Sequence, residues 1–195
     1  MVKQHIAISG LANTGKDTLS RTIQELLQES GLILTFADPI KKIAEQMFPT
    51  IPNKYLYGPS EYRNEKITPY IFQDGKILTV RQLLLDIGTR GREYQEDIWI
   101  NNFDFRFMKE NAFSSNRIIC SDERFRNEHD YLKSKGFFQI RLYRRSSSPT
   151  LNHESENKQS EIKDEEFDYV LHNDGSLVEL QQEVLKQIIP RLKDR

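Results

Sequence analysis

A glycine-containing loop near the start of the chain constrains its fold more than any other feature. Residues 10–18 read Gly-Leu-Ala-Asn-Thr-Gly-Lys-Asp-Thr, directly after an apolar run at 6–8 and before apolar residues at helical spacing. Glycines at both ends allow the backbone to curl until successive N–H groups point into one concavity, to which a following helix adds its positive end. A strand, a Gly-x4-Gly-Lys loop and a helix in this order predict a phosphate-binding P-loop, with Lys16 reaching the phosphates.

The residue after Lys16 departs from the common form of this motif. Asp17 stands where Ser or Thr usually ligates Mg²⁺, and Thr18 follows one position later. Both side chains carry oxygen, the ligand atom that Mg²⁺ prefers. Asp17 and Thr18 are therefore both candidate metal ligands, and the sequence leaves the choice between them open.

Length and composition exclude several classes of protein. The 195 residues suit one α/β domain with room for a small insert. The 28 Lys and Arg nearly balance the 29 Asp and Glu, so the charge gives no case for binding nucleic acid or a membrane. A single cysteine, Cys120, excludes an internal disulfide and a structural zinc site. Since no signal peptide or membrane-spanning run is visible, we expect a cytoplasmic protein with small-molecule partners, and a homodimer stays open.

Strands and helices alternate along the chain, which predicts a doubly wound, mainly parallel five-stranded sheet with helices on both faces. The predicted strands are 5–9, 32–36, 118–120, 138–143 and 169–171. The predicted helices are 17–29 with a C-cap at Ser30 and Gly31, one that starts near Pro39, one that starts at Val80, 98–112, 125–135 and 177–192. Residues 49–66, with three prolines, predict a loop or flap, and residues 70–78 a hairpin that turns at Asp74 and Gly75. We therefore expect one domain over 1–195, with a flap and hairpin insert at 49–80 and an exposed loop at 144–163.

In a sheet of this kind the functional site lies at the carboxyl ends of the strands. Asp122 follows an apolar strand there, and a carboxylate near phosphates makes sense as a ligand of Mg²⁺ through water. The alternative for Asp122 is an N-cap of the helix that begins near Arg126, and the two roles are compatible.

Arginines occupy predicted loops and helix starts throughout the chain. Transfer of a phosphoryl group between two anionic substrates requires cations, and the guanidinium fork suits phosphate geometry. For any one of them the alternative is a solvated surface charge. The candidates are Arg63, Arg81, Arg90, Arg92, Arg124, Arg144 and Arg145.

Four stretches resemble the phage-type deoxynucleoside monophosphate kinases of the P-loop kinase superfamily. They are residues 10–18, ending Gly-Lys-Asp-Thr; 36–41, Phe-Ala-Asp-Pro-Ile-Lys; Gly88 and Thr89 followed by Arg, with Asp-Ile-Trp at 97–99; and 121–128, Ser-Asp-Glu-Arg-Phe-Arg-Asn-Glu. A weaker fifth, at 168–175, is similar to the Asn-x-Gly turn that precedes the last helix of that family. Together they span nearly the whole chain.

The resemblance implies a role for each matching residue. ATP would be bound by Gly10, Asn13, Thr14, Gly15, Lys16, Asp17 and Thr18 at its phosphates, and by Asn173 and Gly175 at its adenine. The acceptor nucleotide would be bound by Asp38, Arg63, Arg81, Gly88, Thr89, Arg90 and Trp99. The catalytic residues would be Lys16, Arg92 and Arg124, and Mg²⁺ would lie near Asp17, Thr18 and Asp122. The spacing of Arg90 and Arg92 does not decide which of them grips the acceptor phosphate, and Trp99 has a place in the core as its alternative.

The function implied is transfer of the γ-phosphoryl group of ATP, with Mg²⁺, to a (deoxy)nucleoside 5′-monophosphate. Residues 49–80 would lie on the acceptor side, 144–163 would form a lid over ATP, and the setting would be the host cytoplasm if a phage encodes the chain. Two alternatives stay open: a small-metabolite kinase similar to dephospho-coenzyme A kinase, and a non-catalytic module that binds nucleotide or nucleic acid through Arg141, Arg144 and Arg145. The preferred base and sugar stay open as well.

Overall fold

The computed structural model describes residues 3–28, 31–71, 77–113, 116–145, 158–159 and 161–193. The chain divides into two compact units, one formed by Met1–Thr35 with Phe103–Arg195 and the other by Phe36–Asn102. Within the described residues, no helix is both long and apolar enough to span a bilayer.

The secondary structure elements follow one another in the predicted alternation. The strands are β1 (Ile6–Ser9), β2 (Leu32–Ile33), β3 (Lys66–Ile71), β4 (Ile77–Thr79), β5 (Ile118–Glu123), β6 (Phe138–Tyr143) and β7 (Tyr169–His172). The helices are α1 (Lys16–Leu27), α2 (Asp38–Met47), α3 (Asn53–Tyr57), α4 (Val80–Tyr94), α5 (Ile98–Phe113), α6 (Arg126–Ser134) and α7 (Leu177–Glu183).

The first unit is built on a parallel sheet with the strand order β2-β5-β1-β6-β7. β1 lies at the centre of this sheet, so the loop that follows it opens at the middle of the carboxyl edge. The predicted fold class, a five-stranded parallel sheet between layers of helices, is confirmed.

Alternating residues of the central strands build two different faces of the sheet, because successive side chains of a strand point to opposite sides. Ile8 of β1 and Ile140 of β6 belong to a fully buried apolar cluster with Ile23 of α1 and Leu180 of α7. Gln139 points the other way, and with its amide oriented to satisfy both neighbours it accepts the Lys133 N–H of α6 at 3.0 Å. Helices therefore cover both faces of the sheet.

Two helix ends in the first unit differ from the prediction. α1 ends at Leu27, where Gln28 takes a left-handed conformation (φ 50°) and its N–H bonds to the Glu25 carbonyl, so the predicted C-cap at Gly31 is wrong. The predicted helix 177–192 is α-helical only to the end of α7, then widens into a π turn (Val184–Ile188) and closes with a 3₁₀ turn (Ile189–Arg191). Pro190 explains the change, because proline has no N–H for the carbonyl four residues earlier.

The second unit contains α2, α3, α4 and the antiparallel hairpin of β3 and β4. The hairpin is confirmed, while its turn at Asp74 and Gly75 lies outside the described residues. The prediction of a loop over 49–66 is wrong, because α3 and a 3₁₀ turn (Ser60–Asn64) form there. Burial accounts for this: Leu56 of α3 packs into a cluster with Ala44 of α2 and Leu83 of α4.

Candidate functional site

The loop after β1 has the close packing that its glycines predict. Asn13 and Gly15 have left-handed backbone conformations, with φ of 64° and 98°. A Cβ atom on Gly10 would lie 2.5 Å from the Leu142 carbonyl oxygen, and one on Gly15 would lie 2.5 Å from Nδ2 of Asn173. Both motif glycines are therefore required by contacts with distant parts of the chain as well as by the curl of the loop.

Hydrogen bonds hold the backbone of this loop in place. The Thr14 hydroxyl donates to the Leu11 carbonyl at 3.0 Å, and the Asn173 side-chain amide donates to the Thr14 carbonyl at 2.9 Å. The Lys16 ammonium donates to the carbonyls of Gly10 at 2.6 Å and Leu11 at 2.7 Å. The first turn of α1 begins at Lys16 after Gly15, which has no side chain to cap its N–H groups. The loop thus combines a cation with backbone donors at a helix start, the arrangement that binds anions.

Side chains with oxygen atoms that could ligate a metal lie in the first turn of α1 and in β5. Asp17 and Thr18 are exposed in the first turn of α1, and Asp122 is half-buried in β5, where its carboxylate accepts the Cys120 thiol at 3.6 Å. Burial, together with the Asp122 charge, raises the pKa of the Cys120 thiol. No group of three or more His, Cys, Asp or Glu within the described residues could hold a metal ion by itself. These residues fit Mg²⁺ bound through one or two carboxylates, waters and substrate phosphates.

The alternative role of Asp122 as an N-cap is wrong. Asp122 lies inside β5, and the N-cap of α6 is Phe125. The buried carboxylate of Glu128 takes over the capping, since it accepts the backbone N–H of Arg124 at 2.8 Å and that of Phe125 at 3.1 Å. A Glu at the third position of a helix is a capping signal that the sequence does contain. Glu128 therefore caps α6 and fixes the backbone of Arg124.

A buried polar cluster lies behind this turn. The Glu123 carboxylate is 2.7 Å from Nδ1 of His129 and, with the Gln139 amide oriented as above, 2.7 Å from its nitrogen. All three side chains are buried. Burial raises the pKa of Glu123, and the His129 hydrogen bond opposes that shift. Sequence reasoning missed this cluster because no local pattern brings residues 123, 129 and 139 together.

The turn after β7 lies against the loop and beside a small cavity. Asn173, which binds the Thr14 carbonyl, is buried, and its own N–H donates to the Tyr143 carbonyl at 2.8 Å. A cavity of about 190 Å³ opens here, lined in part by Asn173, Gly175 and Leu180. The two residues predicted to border adenine therefore do line one cavity.

The arginines of the first unit divide into structural and exposed ones. Arg141 is buried, with its guanidinium donating to the Gln159 carbonyl at 2.9 Å and stacked 5.0 Å from the Phe167 ring. Arg144 and Arg145 are exposed, and Arg145 pairs with Asp174 at 3.3 Å. The predicted basic edge of Arg141, Arg144 and Arg145 for nucleic acid is therefore wrong, because Arg141 points into the fold.

In the second unit, Trp99 packs on the face of α4 that carries the predicted glycine. Its indole N–H donates to the Gly88 carbonyl at 2.9 Å, and the Arg92 guanidinium donates to the same carbonyl at 3.2 Å. A Cβ on Gly91 would lie 2.2 Å from the Trp99 ring, and the side chain is 4% exposed. Trp99 is therefore buried in the core, which was the alternative to its role in binding the acceptor nucleotide. Arg90, by contrast, is exposed and pairs with Glu93 at 2.6 Å.

The remaining predicted acceptor residues lie on several elements of the second unit. Asp38 is in the first turn of α2, Arg63 in the 3₁₀ turn, and Thr89 in the middle of α4. Arg81, near the start of α4, donates to Oδ1 of Asn64 at 2.5 Å. All but Asn64 are half-buried.

Fold and loop together define the class of the protein. A parallel sheet whose central first strand leads through Gly-x4-Gly-Lys into a helix, with the turn after the last strand bonded to that loop, is the fold of the P-loop kinases. The chain therefore has a P-loop kinase fold.

A curated protein with a kinase name is similar to this chain over nearly its whole length. A protein of Acanthamoeba polyphaga mimivirus named "Putative deoxynucleotide monophosphate kinase" is 29% identical over 191 residues, which cover 92% of this chain and 93% of that protein. This relative confirms the resemblance drawn from the four stretches. Among solved structures, TT1252 from Thermus thermophilus has a TM-score of 0.54 at 14% identity with full coverage of both chains, and dephospho-CoA kinase from Campylobacter jejuni has a TM-score of 0.49 at 16% identity, with 94% of each chain covered. No family model matches the chain.

Proposed function

We propose that the protein transfers the γ-phosphoryl group of ATP to a (deoxy)nucleoside 5′-monophosphate. The observation that carries the proposal is the P-loop, in which Lys16 is bonded to the loop carbonyls. The similar mimivirus protein, named as a putative deoxynucleotide monophosphate kinase, supports it. The four sequence stretches that resemble this kinase family support the same substrate class.

The donor half of the site is proposed to be the loop and the Asn173 turn. The N–H groups of residues 10–18 would bind the phosphates of ATP, and Lys16 would turn from the loop carbonyls to the β- and γ-phosphates. The cavity beside Asn173 and Gly175 would accommodate the adenine. Its lining includes the carboxylates of Glu179 and Glu183, and these could accept the exocyclic amine of adenine.

Mg²⁺ is proposed as the cofactor, with Asp17, Thr18 and Asp122 as the residues that would hold it. When bound, the ion would neutralise charge on the phosphates of the nucleotide. Asp122 would act through water, because it is partly buried and its carboxylate accepts the Cys120 thiol. Asp17 and Thr18 are both exposed, and we propose no choice between them.

The acceptor half is proposed to lie in the second unit, with Asp38, Arg63, Arg81, Thr89 and the arginines of α4 as its residues. Arg92 is the better candidate for the acceptor phosphate than Arg90, because Arg90 is paired with Glu93 in solvent. Trp99 would act indirectly by holding the Gly88 backbone.

Such a reaction requires positioning and electrostatics more than proton transfer. The acceptor phosphate oxygen is already nucleophilic, so in-line attack needs no strong general base. Arg124, whose backbone is fixed by Glu128, is proposed to stabilise charge on the transferred group, and the segment 144–163, of which 146–157 and 160 lie outside the described residues, to exclude water as a lid.

The test is a coupled assay of ADP formation with ATP, Mg²⁺ and each of the common ribo- and deoxyribonucleoside monophosphates. We expect turnover that depends on the added monophosphate. Lys16→Met should lower kcat by roughly 10²- to 10³-fold, the usual effect of removing one transition-state charge contact. Lys109→Met, at an exposed position of α5, is the matched control and should retain full activity. ATP hydrolysis that no monophosphate changes, or a Lys16→Met variant with normal turnover, would contradict the proposal.

A further inference from the structure

Gln159 is a buried residue that contacts the P-loop from a distant part of the sequence. Its side-chain nitrogen is 3.0 Å from the Gly10 carbonyl oxygen and 3.3 Å from the Glu123 carbonyl oxygen. Two acceptors flank this nitrogen, so the orientation of the amide is fixed by its surroundings. The residue is 3% exposed. Gln159 therefore joins the first residue of the loop to the last residue of β5.

The backbone of Gln159 is held as firmly as its side chain. The Arg141 guanidinium donates to the Gln159 carbonyl at 2.9 Å, and Arg141 itself is buried beside Ser9 and Phe167. The pairing of β1 with β5 shifts in register between Ala7 and Ser9 and resumes at Ser9 and Glu123, where the carbonyls of Gly10 and Glu123 lie at the end of the strand ladder. The Gln159 amide provides a donor for two of them.

The Gln159 side chain pays a cost for this position. Its oxygen, Oε1, is buried and has no hydrogen-bond partner within the described part of the chain. An amide buried with one end unpaired lowers stability relative to an apolar side chain of the same shape. The position is thus poorly explained by stability alone.

Lys16 and Gln159 share one acceptor. The Lys16 ammonium donates to the Gly10 carbonyl at 2.6 Å, the same carbonyl that the Gln159 amide reaches. When Lys16 turns to a polyphosphate, the one of its three donors that lies on this carbonyl would be exchanged for a bond to a phosphate oxygen. A carbonyl without any donor after that exchange would cost free energy and weaken phosphate binding.

We propose that Gln159 is a positioning residue for Lys16, because its amide keeps the Gly10 carbonyl hydrogen-bonded when Lys16 turns to the phosphates. The inference rests on the proposed function only for phosphate binding at the P-loop. It assigns Gln159 no contact with substrate. The Gln159 hydrogen bond raises the affinity of the loop for phosphate. It stabilises the bound ground state and the transition state equally, so it does not change kcat.

The test compares Gln159→Met with Gln139→Met in the full chain. Gln139 is the matched control, because it is a buried glutamine of β6 whose amide faces Glu123 and α6. Inorganic tripolyphosphate is the probe for calorimetry, and ATP for steady-state kinetics. Gln159→Met should raise the Kd for tripolyphosphate and the KM for ATP by roughly 5- to 30-fold, the effect of one buried acceptor left unpaired, with kcat within about twofold. Gln139→Met should change neither constant beyond about twofold.

Every outcome decides the inference. Equal Kd values for the two variants, whether raised or unchanged, would show that Gln159 is only structural. If Gln159→Met fails to fold, Gln159→Asn replaces it, since the shorter amide stays polar but withdraws from Gly10, and an unchanged Kd in that variant overturns the inference. Wild-type protein that does not bind tripolyphosphate refutes both this inference and the proposed function. Wild-type protein that binds tripolyphosphate but phosphorylates no monophosphate refutes the proposed function alone.

Discussion

Replacing Gly15 by Ala tests how the P-loop is held against the rest of the fold. Gly15 has φ of 98°, and a left-handed conformation costs a residue with a Cβ about 1–2 kcal/mol. The new Cβ would also lie 2.5 Å from the Asn173 amide, which donates to the buried Thr14 carbonyl. Displacing Asn173 leaves that carbonyl unpaired, for about 1–3 kcal/mol more. We therefore expect Gly15→Ala to lower the free energy of unfolding by about 2–5 kcal/mol.

Gly136→Ala is the matched control, since Gly136 is also left-handed, at φ of 76°, but no atom of the described residues, its two chain neighbours apart, lies within 4 Å of its added Cβ. It should lose only the conformational part, about 1–2 kcal/mol. Urea unfolding of both variants, followed by circular dichroism, measures the difference. In thermal unfolding each kcal/mol corresponds to about 2–4 °C for a chain of this length.

Equal losses of unfolding free energy in Gly15→Ala and Gly136→Ala would refute the reasoning, because the displacement of Asn173 would then not lower stability. The double variant Gly15→Ala with Asn173→Ala gives a second reading. Asn173→Ala alone removes the amide, so the clash is absent in the double variant. The double variant should therefore lose less unfolding free energy than the sum of the two single variants, by about 1–3 kcal/mol.

Three further predictions concern other parts of the fold. Gly91→Ala should lower the free energy of unfolding by about 1–3 kcal/mol, because its Cβ would overlap the Trp99 ring, and a Gly91→Ala, Trp99→Leu double variant whose loss equals the sum of the two single losses would contradict this cause. Glu128→Ala should cost about 1–3 kcal/mol in urea unfolding, since two backbone N–H groups lose their acceptor, and an unchanged midpoint would refute the capping role. Burial, reinforced by the Arg117 charge, lowers the pKa of His5 from 6.5 to about 4, so the folded state binds fewer protons than the unfolded state. Stability should therefore fall as the pH drops from 6.5 towards 4, and His5→Gln should remove part of that slope in unfolding measured across this range.

Local signals in the sequence were sufficient for most of the fold. Glycine spacing, apolar periodicity and the strand-helix alternation act over a few residues, so they predicted the P-loop, the five-stranded sheet and the hairpin. Two of the errors have different causes: distant residues decide one conformation, and a proline inside the predicted segment decides the other. α3 forms within the predicted loop because Leu56 has an apolar cluster to enter, and the last helix changes form where Pro190 interrupts its hydrogen bonds.

The candidate site divides in the same way. Motifs in the sequence identify Lys16 and the Asn173 turn. The burial of Trp99, in contrast, follows only from its contacts with Gly88 and Gly91 in the folded chain. Glu128, at the third position of α6, is a capping signal that the sequence contains, although Asp122 was the cap considered.

The sequence by itself determined that a phosphate-binding loop follows a central strand, because the residues that form such a loop are contiguous. Only the tertiary structure decided what holds that loop: Asn173 on the Thr14 carbonyl, and Gln159 beside Lys16 on the Gly10 carbonyl. These partners lie 159 and 149 positions away in the chain. A hydrogen bond depends on distance and direction in space, and no spacing in the sequence records them.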